Sequence, residues 1–331
     1  MRVIPPESTE SQASAWPPIL CHILAPLMHH LVSPDVTDVL INGVHDVWIH
    51  RREGPRERLL GVLDCRRELE GLVRHLARSC GQNDPGPHVS VPIPGKGRLH
   101  AVLGGQIHGD RRPQIAIRLA ARFRPTLAEL VGRGVLPEAV AGLLVEQRAL
   151  RGRSLVVSGA CGSGKTTLAE AFLRGLPVWE RVLIMQDVPE IQPPTLDHDW
   201  TSFGPGDEGY GPLLRSLLRL QPDRVVLGEV RGAETWELLE ALTTHGGSVT
   251  TVHATSPALA LQRLASMALL HPSAPGLRAV QGRVVDVFSL VLQLERLEDA
   301  AGPVRRAAAL VEVLGVDGQG LPQTRALWSR S

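Results

Sequence analysis

Lysine is almost missing from this chain. Of its 35 Lys and Arg residues only two are lysines, Lys96 and Lys165. Aromatic residues make up 3% of the sequence, with a single tyrosine. The stacking surfaces that grip single-stranded nucleic acid are therefore scarce, and no direct nucleic-acid binding is expected. A formal net charge of +1 supplies no bulk attraction to polyanions or acidic lipid. Four cysteines (Cys21, Cys65, Cys80 and Cys161) lie far apart and form no C-x-x-C pair, which argues against a zinc site and for reduced thiols. No apolar run approaches the roughly 18 residues of a membrane span, and no basic stretch leads into an apolar export core. The expectation is a cytoplasmic protein. What is present is a chain of 331 residues, 43% hydrophobic and 21% charged. That is the make-up of a globular protein with room for two domains.

Local patterns divide it. Residues 1–33 read as an N-terminal extension, disordered over the polar positions 1–15 and helical over 19–32 with a break at Pro26. Residues 34–124 read as a mixed α/β domain. Two β-rich runs around Asn42-Gly43 predict a hairpin over 38–49. Leu69, Leu72, Val73 and Leu76 have helical spacing, with Gly81 as a stop. Strands are expected at 99–103 and 114–118. From 125 to 331 strands and helices alternate. Strands are expected at 155–158, 182–185, 224–228 and 249–252, and helices at 165–173, 212–220, 234–242 and 258–270. Late edge strands are expected at 288–294 and 307–316. Such alternation implies a mostly parallel sheet with helical crossovers, which binds ligands beyond the carboxyl ends of its strands.

One of the two lysines sits in Gly159-Ala160-Cys161-Gly162-Ser163-Gly164-Lys165-Thr166, followed by Thr167. This is G-x-x-x-x-G-K-[ST], a phosphate-binding loop. Glycines let consecutive N–H groups turn inward onto phosphate oxygens, the lysine reaches the β- and γ-phosphates, and the Thr166 hydroxyl suits Mg²⁺. Cys161 reads as a small loop residue. Three later segments add chemistry. Asp187 and Glu190 follow the strand ending at Met185, where acids can position or deprotonate an attacking water or be ordinary surface acids of a loop. Glu229 ends the apolar strand after Pro222-Asp223, where a carboxylate can hold Mg²⁺ through water. Arg224 and Arg231 flank it, and for each a phosphate contact and a carboxylate partner stay open. His253 follows Gly246-Gly247 and a β-branched strand, the place of a γ-phosphate sensor.

In this order the four segments resemble the type II/type IV secretion ATPase superfamily, as its Walker A, Asp box, Walker B and His box. The wording Arg231-Gly232-Ala233-Glu234-Thr235 and Thr251-Val252-His253-Ala254-Thr255-Ser256 is most similar to tight-adherence (Flp) pilus assembly ATPases, with conjugal-transfer type IV ATPases as close relatives. The N-terminal runs at 39–43, 47–49, 97–102 and 115–118 fit as well. The resemblance implies a RecA-like P-loop NTPase core behind an N-terminal α/β domain. It also implies a homohexamer using ATP and Mg²⁺ at the inner face of the cell membrane, working on a polytopic platform protein and, through it, on pilin or secreted cargo. By the resemblance Glu190 activates water and His253 touches the γ-phosphate. Arg98 and Arg118 match arginines of the N-terminal domain that reach phosphate. One departure is Gln186-Asp187 where the family's Asp box opens Glu-Asp.

Overall fold

The computed structural model describes residues 16–330 apart from 53, 105–106, 108–112, 121–123, 150–153, 188, 205–208 and 300–301. Its contacts divide the chain between residues 123 and 124. The disorder expected at 1–15 falls outside the described residues.

Alternating burial builds the first unit. Strands β1 (Val36–Asn42), β2 (Asp46–Arg51), β3 (Glu57–Leu60), β4 (His88–Ile93), β5 (Gly97–Val102) and β6 (Gln114–Leu119) form a six-stranded sheet in the order β3-β2-β1-β6-β5-β4. Its neighbouring strands are antiparallel. Val39, Ile41, Val47, Ile49, Leu99 and Ile117 point to one face and are fully buried. Helices α1 (Pro18–Ile23), α2 (Met28–Leu31) and α3 (Arg66–Ser79) belong to the same unit, and Leu69, Leu72, Val73 and Leu76 of α3 join that core. Residues 16–33 correct the expected extension. Trp16, Leu20, Leu24, Leu27 and Leu31 are buried in this same core, because their spacing makes one apolar face. Pro26 falls in a short 3₁₀ turn between α1 and α2.

In the second unit, helices α4 (Leu127–Gly132), α5 (Glu138–Ala149) and α6 (Lys165–Leu173) share one apolar cluster. Helices α7 (Tyr210–Leu217), α8 (Glu234–Leu242), α9 (Pro257–Ala268) and α10 (Leu277–Val287) share another. Between the clusters runs an eight-stranded sheet in the order β14-β13-β12-β7-β11-β10-β8-β9. Its strands are β7 (Ser154–Gly159), β8 (Val182–Met185), β9 (Trp200–Phe203), β10 (Arg224–Leu227), β11 (Val249–Val252), β12 (Phe288–Asp299), β13 (Gly302–Val316) and β14 (Pro322–Ser329). Strands β12 to β9 are parallel, while β13 and β14 turn back antiparallel. Alternate residues serve the two clusters: Leu155 and Val157 of β7 face one, Val156 the other.

Two expectations change here. β12 is internal, paired in parallel with the loop-bearing β7 and antiparallel with β13. The edges are β14 and β9, neither of which the sequence pattern marked.

Candidate nucleotide site

The glycine loop leaves the carboxyl end of β7 and enters α6. Gly164 caps that helix in the left-handed region, φ 95°, which a Cβ would strain. At Gly159 the constraint is close approach: a Cβ there would lie 2.6 Å from the Leu294 carbonyl oxygen. Thr166 and Thr167 occupy the first helical turn, with N–H groups that no earlier turn satisfies. The Ser163 hydroxyl is buried without a hydrogen-bond partner among the described residues. A left-handed glycine cap, free amides and an orphaned hydroxyl fit a bound polyphosphate. Cys161 is exposed on the loop.

Lys165 is buried and donates to the Gly159 and Ala160 carbonyls at 3.0 and 2.9 Å. Its Nζ is 3.2 Å from His253 Nδ1. His253 Nε2 is 3.0 Å from Glu229 Oε1. Strand register explains the meeting. Val252 pairs with Ser158 and Leu227 with Thr250, so the residues just past β7, β11 and β10 emerge side by side. Burial and the Lys165 ammonium hold the His253 imidazole below the usual range, with Glu229 pulling the other way. A neutral ring that accepts from Lys165 at Nδ1 and donates to Glu229 from Nε2–H satisfies both contacts.

The network continues outward. Arg231 Nη2 donates to Glu229 Oε2 at 2.7 Å, and Nη1 to Asp187 Oδ2. The Tyr210 hydroxyl donates to Asp187 Oδ1 at 2.6 Å. Leu227 pairs with Met185, so Asp187 and Glu229 each lie two residues beyond a shared rung. Burial pushes the Glu229 carboxyl up, but Arg231, His253 and Lys165 together outweigh it, Arg231 foremost, and hold the group below its ordinary value.

Gln186 explains the altered Asp box. It is buried, its amide accepts from Ile191 N–H at 2.9 Å and donates to the Ile191 carbonyl at 2.8 Å, and it also donates to Ser202. An ionised glutamate accepts only and could not close this reciprocal pair. The loop carrying Asp187 and Glu190 is thereby stapled. Arg124 ties it to α6 by donating to Glu170 and, at 2.9 Å, to the Glu190 carbonyl.

One sequence assignment is corrected. Arg224 is not a phosphate ligand. It is 1% exposed, and it donates to Glu180 at 2.6 Å and to the Gly247 and Arg148 carbonyls. It begins β10, whereas the phosphate loop lies beyond the opposite end of the sheet. Arg231 is at the right end, but its guanidinium is occupied by two carboxylates. Arg98 and Arg118 lie in the first unit as direct cross-strand partners on β5 and β6, and Arg98 donates to the Ser90 hydroxyl at 2.7 Å. Their neighbours Leu99 and Ile117 are fully buried, so the arginines occupy the sheet's other face.

Sequence reasoning missed Tyr210, Arg296 and Arg305. Arg305 Nε donates to the Gly162 carbonyl at 2.8 Å. Arg296 Nη1 lies 2.9 Å from where a Gly162 Cβ would stand. Only the register of a hairpin, which no motif encodes, brings these two to the loop. The one available signal for Tyr210 was its being the sole tyrosine.

A family profile described as type II/IV secretion system protein matches residues 24–274. A Mycobacterium tuberculosis protein named for conjugal transfer is 31% identical over 322 residues, covering 92% of this chain and 88% of its own. The type IV secretion system protein VirB11 of Brucella abortus is 31% identical over 300 residues, 81% of each chain. Among solved structures, the pilus retraction motor PilT with bound ADP superposes with a TM-score of 0.62 at 17% identity, covering 89% of this chain and 83% of that one. The Legionella pneumophila ATPase DotB gives 0.59 at 19%, covering 89% and 80%. The last two show the fold: a RecA-like P-loop core behind an N-terminal α/β domain. With the profile and the relatives, they make this chain a member of the type II/IV secretion system ATPase family.

Proposed function

We propose that the chain hydrolyses ATP with Mg²⁺ and uses the energy to drive assembly or secretion through a membrane platform. The observation that carries this reading is the convergence of Lys165, His253 and Glu229 at the mouth of the glycine loop. Thr166, and Glu229 through water, would hold Mg²⁺, which supplies charge neutralisation for phosphoryl transfer. Lys165 exchanges its loop carbonyls for phosphate oxygens when nucleotide enters. That exchange frees His253 Nδ1, so the imidazole reports occupancy to Glu229. Glu190, on the loop stapled by Gln186 and Arg124, orients the attacking water as general base. Arg98 and Arg118 complete the charge from the N-terminal domain, so that hydrolysis is linked to domain motion. Six copies form a ring at the cytoplasmic face of the membrane. No helix among the described residues is long and apolar enough to cross it.

Pilus assembly of the tight-adherence kind follows from the wording of the Walker B and His boxes. A type IV or conjugal transfer role is the second reading, favoured by relatives 31% identical across most of the chain. Turnover of Mg·ATP by the purified full-length chain tests the core claim. Glu190→Gln is expected to lower kcat about 10²- to 10⁴-fold with nucleotide binding kept. Unchanged turnover in that variant removes Glu190 from the chemistry. A wild-type chain that binds ATP without hydrolysing it is instead a nucleotide-gated scaffold.

A further inference from the structure

Helix α6 leaves the phosphate loop with Thr166 in its first turn, and Glu170 follows four residues on. Residues i and i+4 share a helix face, so Glu170 lies on the side that carries Thr166. Its side chain is 3% exposed, and Leu168, Ala169, Ala171, Phe172 and Leu173 around it are buried too. Stability alone would favour an apolar side chain here, since a buried carboxylate is costly to desolvate. Burial holds the Glu170 carboxyl above its ordinary value, with Arg124 foremost among the groups that pull it back. Arg174 Nη1 is 3.8 Å from Glu170 Oε1, beyond hydrogen-bond reach. Of the two arginines it is therefore Arg124 that donates to this oxygen. The same Arg124 Nη1 donates to the Glu190 carbonyl at 2.9 Å. That carbonyl belongs to the peptide whose N–H, on Ile191, donates to Gln186 Oε1 at 2.9 Å. A trans peptide points its C=O and N–H in opposite directions. Held at both ends, this plane is kept from turning, and the Cα beside it bears the Glu190 side chain.

We propose that Glu170, acting through Arg124, is a positioning residue for ATP hydrolysis: it registers Glu190 against the end of α6 that begins with Lys165 and Thr166. The inference rests on the reading of Glu190 as general base. The chain of contacts is short. Glu170 is fixed to the helix that follows the phosphate loop, Arg124 bridges it to the Glu190 peptide, and Gln186 holds that peptide's far side. The attacking water must lie in line with the phosphate it attacks, and a misplacement of about 1 Å can cost about 10²-fold in rate. Nucleotide affinity comes from the loop's amides and Lys165, so the Glu170–Arg124 pair acts on kcat and leaves binding alone.

The test is steady-state turnover of Mg·ATP by the full-length chain, with Mg·ADP affinity measured by calorimetry. The chains compared are wild type, Glu190→Gln, Arg124→Met, Arg124→Lys, Glu170→Gln and the double variant Glu190→Gln with Arg124→Met. Arg124→Met keeps the length of the side chain but no donor, and is expected to lower kcat about tenfold to a hundredfold with ADP affinity unchanged. Arg124→Lys keeps a charged donor and is expected to recover part of the loss. Glu170→Gln keeps an acceptor oxygen without the charge, and is expected to lower kcat by less than Arg124→Met. In the Glu190→Gln background Arg124→Met is expected to add nothing, because a tether has no effect on a carboxylate that is gone. A purely structural pair would lower turnover in that background as well, so a further fall there overturns the proposal. Unchanged kcat in Arg124→Met overturns it too, as does a loss confined to ADP affinity. Melting curves identify any variant that fails to fold. Glu170→Gln, alone and combined with Glu190→Gln, then carries the same comparison. Unchanged turnover in Glu190→Gln defeats the reading of Glu190 itself, a result distinct from a fall in that variant that Arg124→Met does not share.

Discussion

Arg224 and Arg231 stand at opposite ends of the same strand, and both are held by carboxylates. At the amino end, Arg224 is 1% exposed and its partners are fixed: Glu180 and the carbonyls of Gly247 and Arg148. At the carboxyl end, the Arg231 side chain is 56% exposed, and its partners Glu229 and Asp187 are 29% and 27% exposed. The first arrangement is dry. Removing one partner strands a buried charge, so it locks β10 to β8's approach and to the end of α5. The second lies in water, where exchanging one partner for another costs little. One kind of ion pair thus fastens the sheet, and the other leaves its ligand-facing edge adjustable.

Mutating the two arginines tests that division most severely. Arg224→Ala removes the buried guanidinium that pairs with Glu180, with an expected loss of about 3–5 kcal/mol in folding stability. Arg231→Ala is expected to cost under about 1 kcal/mol, since the pair is exposed and screened. In activity the order reverses. Arg231→Ala removes the link between Glu229 and Asp187 and is expected to lower kcat about tenfold. Arg224→Ala is expected to lower the folded fraction but to leave the KM of the folded molecules as it is. Urea melts and steady-state turnover of both variants measure this. Equal destabilisation by the two would end the comparison.

How far this division could be read beforehand depends on strand geometry. The glycine loop, the strand–helix alternation and the succession of acids and histidine were legible, because each rests on local spacing. The sequence placed Arg224 next to Glu229 in meaning. At about 3.3 Å per residue, however, five positions of extended chain separate them by roughly 16 Å. Only the strand's length decides which end an arginine occupies. β9 and β14 escaped notice because their residues are largely exposed or alternate with polar ones. β12 comes late in the chain, a position that suggests an edge, whereas its place beside β7 is set by pairing. Arg296 and Arg305 are nine residues apart and meet by register alone.

Acid provides a second, milder probe of the adjustable end. The His253 imidazole is held below its ordinary value of 6.5 by burial and by Lys165. Between that ordinary value and the lowered one, the unfolded chain binds a proton that the folded chain refuses. The stability from neutral His253 is therefore complete above about pH 6.5 and is lost as pH falls through this window. Glu229, held low chiefly by Arg231 against its burial, loses its contribution further down, as pH falls through its own depressed value. Melting temperature without nucleotide is expected to decline from pH 7 to pH 5, and His253→Gln to flatten the upper part of that decline. An unaltered profile in the variant would assign the acid sensitivity elsewhere.

The gentlest perturbation is also the most discriminating. Burial and Asp187 hold the Tyr210 phenol far above its ordinary range, so it remains a hydrogen-bond donor at every working pH. Tyr210→Phe deletes one hydroxyl and keeps the ring against the core. Asp187 then loses the donor at Oδ1 while Arg231 still holds Oδ2. A single hydrogen bond is worth about 1 kcal/mol, or a shift of roughly 2–4 °C in melting temperature for a unit of this size. If the outer network steadies Glu229 through Arg231, that loosening reaches turnover, and kcat falls by up to about fivefold at constant KM. If the network only packs α7 against the sheet, melting temperature drops with kcat untouched. Tyr210 would then belong with Arg224 among the fastenings, despite lying at the ligand end.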